Sequence, residues 1–154
     1  MGSRLNKNKN EKEIALAYIA GFLDGDGSLM LQVKKRKDST IGLRFMATIC
    51  FYQDTRHAQT LHWIQSVFGI GYISTRNDGM TELRINGYKQ VRDILIELAP
   101  FIRFKALQAQ ALKDACDILS TATFTKLSDQ QKRTLVDLIL VIQSENYVTK
   151  KKKS

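Results

Sequence analysis

Residues 18–28 read YIAGFLDGDGS: apolar and small side chains suited to a buried helix run into two aspartates, Asp24 and Asp26, each followed by glycine. A helix C-terminus carries about half a negative charge, so acids placed there are disfavoured by about 0.3–1 kcal/mol. Either a positive group offsets the two carboxylates or they belong to a solvated turn.

Working outward, Ile14 to Leu23 (IALAYIAGFL) is apolar nearly all round, which predicts a helix buried on more than one side. Ala17, Ala20 and Gly21 fall at i, i+3, i+4 and would let a second helix approach closely. Downstream the period becomes two. Leu29, Leu31 and Val33 alternate with Ser28, Met30, Gln32, Lys34 and Arg36. After the polar stretch KDSTIG, Leu43, Phe45, Ala47, Ile49 and Phe51 alternate with Arg44, Met46, Thr48, Cys50 and Tyr52. Strict alternation marks strands with one face on a core and the other in water. Asp54 is placed to cap a helix over residues 55–68, closed by Gly69. GYISTR and MTELRING flank an Asn77-Asp78-Gly79 turn and form a second hairpin, with Ile73, Leu83 and Ile85 inward. Its outward residues are Tyr72, Ser74, Arg76, Glu82 and Arg84. Helices follow over 88–98 and 106–119, and a Ser128–Gln131 capping box opens a last one reaching about Ser144. The expected class is α+β, with two antiparallel hairpins forming one four-stranded sheet under a layer of helices.

A chain of 154 residues fits one domain, with a flexible segment over 1–12, a folded domain over 13–146 and a basic tail over 147–154. The net charge of +9 points to a polyanionic partner. Its placement matters: residues 28–105 hold twelve Lys and Arg against six Asp and Glu, whereas residues 106–149 hold four against five. The folded part's basic surplus therefore sits in the middle of the chain, where the outward sheet face carries Lys34, Arg36, Arg44, Arg76 and Arg84 against Glu82. That face is either merely solvated or one that reads nucleic acid, and its side chains suit base edges: Arg for guanine, Gln for adenine, Glu for cytosine, Met for the thymine methyl. Cys50 and Cys116 are too far apart in sequence for a zinc knuckle or disulfide framework, and an ordinary reducing compartment fits. No apolar run reaches membrane-spanning length, and no signal-peptide stretch opens the chain. DGDG is no calcium loop, since counting from Asp24 puts Leu29 at position six and Lys35 at position twelve. His57 and His62 match no zinc spacing.

The motif left over, YIAGFLDGDGS, closely resembles the signature of the LAGLIDADG homing endonucleases, with IAGFLDGDG standing for the nine-residue name. CFYQDT at 50–55, FGIGY at 68–72 and LAPFIRFKALQAQ at 98–110 resemble later landmarks of its single-motif members, so the likeness spans about residues 12–120. It implies an αββαββα fold with a saddle-shaped sheet and added C-terminal helices. It also implies a homodimer whose signature helices pack together through Ala17, Ala20 and Gly21. Asp26 would be the metal ligand and a catalytic residue, helped by the Gly25 carbonyl, while Asp24 would hold the turn. Gln53 and Lys105 complete the implied catalytic set, with His57 where another basic residue often stands. The implied cofactor is Mg²⁺, two or more ions per dimer. The implied DNA-reading residues are Ser28, Met30, Gln32, Lys34, Arg36, Arg44, Met46, Thr48, Cys50, Ser74, Arg76, Glu82 and Arg84, with Lys35, Lys37 and Lys89 on phosphates.

The activity so implied is cleavage of both strands of a long pseudo-palindromic DNA site, leaving 3′ overhangs and promoting intron mobility. The rivals on the same fold are an intron RNA maturase and a catalytically silent DNA-binding protein. The place of action would be intracellular, in a chloroplast or mitochondrion if the source is eukaryotic and in the cytoplasm if it is archaeal or bacterial.

Overall fold

A computed structural model describes residues 2–35, 43–121 and 127–146. Helix α1 (Gly2–Asp26) runs directly into strand β1 (Gly27–Lys35), and β2 (Leu43–Asp54) follows. A 3-10 turn (Thr55–His57) leads to α2 (Gln59–Phe68), then β3 (Tyr72–Thr75), β4 (Met80–Asn86) and α3 (Tyr88–Leu98). A second 3-10 turn (Ala99–Phe101) precedes α4 (Ala106–Thr121) and α5 (Asp129–Asn146). Arg36, Lys37 and the tail over 147–154 lie outside the described residues.

The strands form one antiparallel sheet in the order β1-β2-β4-β3. Alternation places the faces as expected except at the far end of the edge strand β1, where Val33, expected inward, is 42% exposed. Leu29, Leu31, Phe45, Ala47, Ile49, Phe51, Leu83 and Ile85 are buried and meet the helices in one continuous core. Phe51 sits at its centre with an edge-to-face contact to Phe22 of α1, ring centroids 5.9 Å apart. The expected punctuation is present except at the start of α2: Asp54 caps only the 3-10 turn, and the helix itself opens at Ala58 with no side-chain cap. Asp54 Oδ1 accepts the Arg56 N–H at 2.9 Å, Gly69 closes α2 at φ 68°, and Ser128 and Gln131 cap α5 reciprocally.

Three further placements differ from expectation. Helix α1 begins at Gly2 rather than Ile14. Residues 8–13 are exposed and show no apolar face, so periodicity gave no sign of helix there, although Lys and Glu are good helix formers. Ala20 belongs with Leu16, Ile19 and Leu23 on the stripe buried in the chain's own core, at 0% exposure. It therefore cannot meet a second helix. Thr48 and Cys50 point to the outward face but are themselves 0% exposed. Thr48 Oγ1 donates to Asn86 Oδ1 at 2.7 Å, and Cys50 lies under Glu82, so longer cross-strand neighbours cover both and neither can touch DNA as placed.

Candidate active site and nucleic-acid face

The two aspartates at the end of α1 do different work. Asp24 is buried and accepts three backbone N–H bonds from a segment far along the chain: Arg103 at 2.8 Å on Oδ2, Phe104 at 3.2 Å and Lys105 at 3.1 Å on Oδ1. It thereby fixes the loop that opens α4. Lys105 returns the contact, its Nζ donating to the Asp24 backbone carbonyl at 2.7 Å. That carbonyl is among the last of α1, where intrahelical donors run out and the dipole is negative. Lys105 is thus the positive group that the acidic helix end requires.

Asp26 is exposed, and no described residue pairs with it. The glycines around it divide in the same way. A Cβ on Gly27 would lie 2.6–2.9 Å from Leu23 side-chain and backbone atoms, so only glycine lets the chain pass from helix to strand here. At Gly21 and Gly25 a Cβ would meet nothing within 4 Å. Nothing inside the chain asks for glycine at these two helical positions, where each costs about 0.5–1 kcal/mol relative to alanine.

Those two glycines lie on an exposed stripe of α1 with Ile14, Ala17 and Tyr18, spaced i, i+3, i+4, i+7, i+11. Ile14 is 70% exposed and Tyr18 57%. Tyr18 also stacks edge-to-face on Trp63 of α2, centroids 5.6 Å apart. Phe104, beside the Asp24-bound loop, is 77% exposed. Of the residues expected at a dimer interface, Ala17 and Gly21 are on this free face and Ala20 is not.

The sheet register brings the other candidates to the same end. Gly27 pairs with Phe51, and Gln53 lies beyond that pair, opposite Thr81 on β4. Its Oε1 accepts the Asp54 N–H at 2.9 Å, which fixes the carboxamide. Asp26, Gln53 and Lys105 thus gather around the α1–β1 junction. His57 is exposed at the end of the neighbouring 3-10 turn.

From this end the outward sheet face extends in cross-strand rows. The first holds Tyr52, Glu82 and Ser74, and the next runs Ser28, Cys50, Arg84, Tyr72. Further along come Met30 with Thr48, Gln32 with Met46, and Lys34 with Arg44. Gln32, Lys34, Arg44 and Arg76 are exposed, while Ser28, Met30, Met46, Ser74, Glu82 and Arg84 are partly so. Tyr72, half exposed and opposite Arg84, joins this face although it was not among the expected DNA readers; strand parity alone places it there. Ser28 Oγ and Tyr52 OH lie 3.3 Å apart, and burial is the chief cause that pushes the Tyr52 hydroxyl above its usual range. Among the described residues no helix is long and apolar enough to cross a membrane.

Known proteins share this fold. The DNA endonuclease I-CvuI of Chlorella vulgaris is 28% identical, with 80% of this chain and 86% of the relative covered. The DNA endonuclease I-CreI of Chlamydomonas reinhardtii is 29% identical, with 74% and 69% covered. In three dimensions the chain superposes on I-CvuI solved in complex with the I-CreI target and magnesium, its DNA uncleaved, at a TM-score of 0.74 and 24% identity, covering 89% of this chain and 83% of that one. It superposes on I-SmaMI bound to an uncleaved DNA target with calcium at a TM-score of 0.73 and 21% identity, covering 84% of this chain but 45% of that one. At these identities the structural likeness speaks for the fold. The family model described as LAGLIDADG endonuclease matches residues 19–118, which takes in the acidic turn, the whole described sheet and most of α4; this chain belongs to that family.

Proposed function

We propose that the chain is a site-specific, metal-dependent DNA endonuclease that works as a homodimer, cutting both strands of a long pseudo-palindromic site and leaving 3′ overhangs in the service of intron mobility. The observation that carries this reading is the exposed end of α1. It presents one free carboxylate, Asp26, beside a basic sheet face, at the foot of a stripe whose glycines nothing in the same chain explains. A second copy against that stripe accounts for the glycines and brings a second Asp26 to the first. The related endonucleases, named for DNA cleavage and solved on DNA with magnesium or calcium, support the same reading.

A divalent cation fits the donors present. Asp26 offers a hard carboxylate oxygen, and Gly25 a carbonyl from the negative end of α1. Among the described residues no three His, Cys, Asp or Glu side chains converge on a metal site, so one chain leaves most of the coordination sphere to water, phosphate and the partner. This is how Mg²⁺ is ordinarily held, and two or more ions per dimer match two carboxylates and two scissile phosphates. The chemistry such ions supply when bound is acidification of water and neutralisation of phosphate charge. Gln53, its carbonyl oxygen committed to the Asp54 N–H, keeps its amide hydrogens to orient water at the phosphate. Lys105 commits one hydrogen to the α1 carbonyl and keeps two for charge developing on the phosphate oxygens. The compartment is the one holding the target DNA: a chloroplast or mitochondrion if the source is eukaryotic, the cytoplasm if it is archaeal or bacterial.

The test is cleavage of a randomised-plasmid or host-genome fragment library by the wild type and Asp26→Asn, in Mg²⁺ and in Ca²⁺. Discrete Mg²⁺-dependent cuts that vanish in Asp26→Asn are expected, with DNA binding retained. An absence of cuts together with tight binding to structured intron RNA would replace the nuclease with a maturase. Loss of folding in Asp26→Asn would show that Asp26 is structural.

A further inference from the structure

On the outward sheet face, Cys50, Glu82 and Arg84 form a closed unit. Cys50 and Arg84 are direct cross-strand partners, and Glu82 is the diagonal neighbour of Cys50. Glu82 Oε1 lies 3.5 Å from Arg84 Nη2, and Glu82 Oε2 accepts from the Cys50 thiol at 3.8 Å. Both carboxylate oxygens are therefore engaged within the protein. Burial is the main cause that raises the Cys50 thiol, so it keeps its proton and remains a donor. The ion pair is largely sheltered, with the Glu82 side chain 14% exposed and the Arg84 side chain 25%. Arg76 differs: its partner Asp78 is in the hairpin turn, both are about half exposed, and such a pair adds little rigidity in water.

We propose that Glu82 is a positioning residue that holds Arg84 for guanine readout, and does not itself read cytosine. A glutamate reading cytosine must turn a carboxylate oxygen outward to the base amino group, whereas the Glu82 side chain is 14% exposed and its oxygens are turned to Arg84 and Cys50. Arginine has five N–H donors; Glu82 engages Nη2 and leaves the others for the O6 and N7 acceptors of guanine. Guanidinium side chains have many rotamers to lose, and a neighbour that fixes the fork beforehand reduces what is lost on binding. Negative charge so close to DNA is tolerated because Arg84 neutralises it. The assignment rests on the DNA-binding reading above and specifies one base of its target.

The test is binding-site selection from duplexes randomised across the half-site, in Ca²⁺, with the wild type, Arg84→Lys and Glu82→Gln. The wild type should prefer guanine at one position of each half-site by roughly 5- to 150-fold, the range for one good bidentate contact. Arg84→Lys keeps the charge but not the fork and should flatten that position alone. Glu82→Gln should weaken preference at the same position by about two- to fivefold and relax no other. Relaxation of a separate cytosine position by Glu82→Gln, with the guanine intact, would overturn the assignment. So would an unchanged profile for Arg84→Lys, provided both variants unfold at the wild-type denaturant midpoint. Selection of no sequence by the wild type is a different result, for it removes the DNA reading itself.

Discussion

Asp24→Asn and Asp26→Asn, identical changes two residues apart, should shift stability in opposite directions. Asp24 receives three backbone N–H bonds at 2.8–3.2 Å while buried. Hydrogen bonds to a charged partner contribute about 1.5–3 kcal/mol each, and removing the charge roughly halves them. The amide also turns one acceptor oxygen into a donor, so an N–H from the Arg103–Lys105 loop loses its partner. Allowing for non-additivity, Asp24→Asn should cost about 2–4 kcal/mol, which in a chain of this size is roughly 5–15 °C in Tm. Asp26 is exposed at the negative end of the same helix, where losing a carboxylate should be neutral or stabilising by up to about 1 kcal/mol. Circular dichroism during urea and thermal unfolding, at one fixed protein concentration, measures both. The reasoning fails if Asp24→Asn stays within about 0.5 kcal/mol of the wild type, or if Asp26→Asn is as damaged as Asp24→Asn.

Gly21→Ala should raise helix propensity by up to about 1 kcal/mol yet weaken the dimer at least about tenfold, because the new Cβ has room within the chain and none against a partner helix. Sedimentation decides it, and an unchanged dimer constant would move the interface off this face. Cys50 and Cys116 are buried, the latter pushed up to about 12 chiefly by burial, so both thiols should resist a disulfide reagent until the chain unfolds; rapid labelling of either in the native protein would contradict the placement. Hydrogen bonding from the Arg56 side chain, first among its causes, lowers the Asp54 carboxyl from 3.8 to about 2. A depressed carboxylate contributes stability that is complete above its unfolded pKa and lost as pH falls through its folded one. Urea midpoints of the wild type and Asp54→Asn should therefore converge between about pH 4 and pH 2, and parallel curves would exclude this pair as a source of acid sensitivity.

Most of the fold was legible because each element carries its own period. Alternation runs through β2 and β4 and along β1 as far as Leu31, so it assigned most of the buried and outward sets before any partner strand was known. It could not tell outward from accessible. Thr48 and Cys50 have the right parity, but Asn86 and Glu82 reach across the strands and cover them. Helix α1 shows the complementary limit. Its apolar residues form two stripes, Leu16-Ile19-Ala20-Leu23 inward and Ile14-Ala17-Tyr18-Gly21 outward, and an all-round apolar pattern does not separate them. Small size suggested grouping Ala20 with Ala17 and Gly21, whereas packing placed it with Leu16. The bonds from Asp24 to residues 103–105 had no local signal at all, since they join segments remote in sequence.

Those bonds are also what makes the two aspartates interdependent. The loop that Asp24 fixes carries Lys105 and ends where α4 begins, and Lys105 in turn satisfies the carbonyl end of α1 beside Asp26. Asp24, though it faces away from solvent, sets where the cationic group stands relative to the exposed carboxylate. A helix end bearing two acids would be locally unfavourable without such a cation, and the phosphate contact proposed for Lys105 needs it to keep free donors. One lysine hydrogen on a carbonyl, rather than an ion pair with either carboxylate, meets both requirements. The acidic turn is then neither a mere solvated turn nor two equivalent ligands. One carboxylate is committed to the Arg103–Lys105 loop and the other is left free.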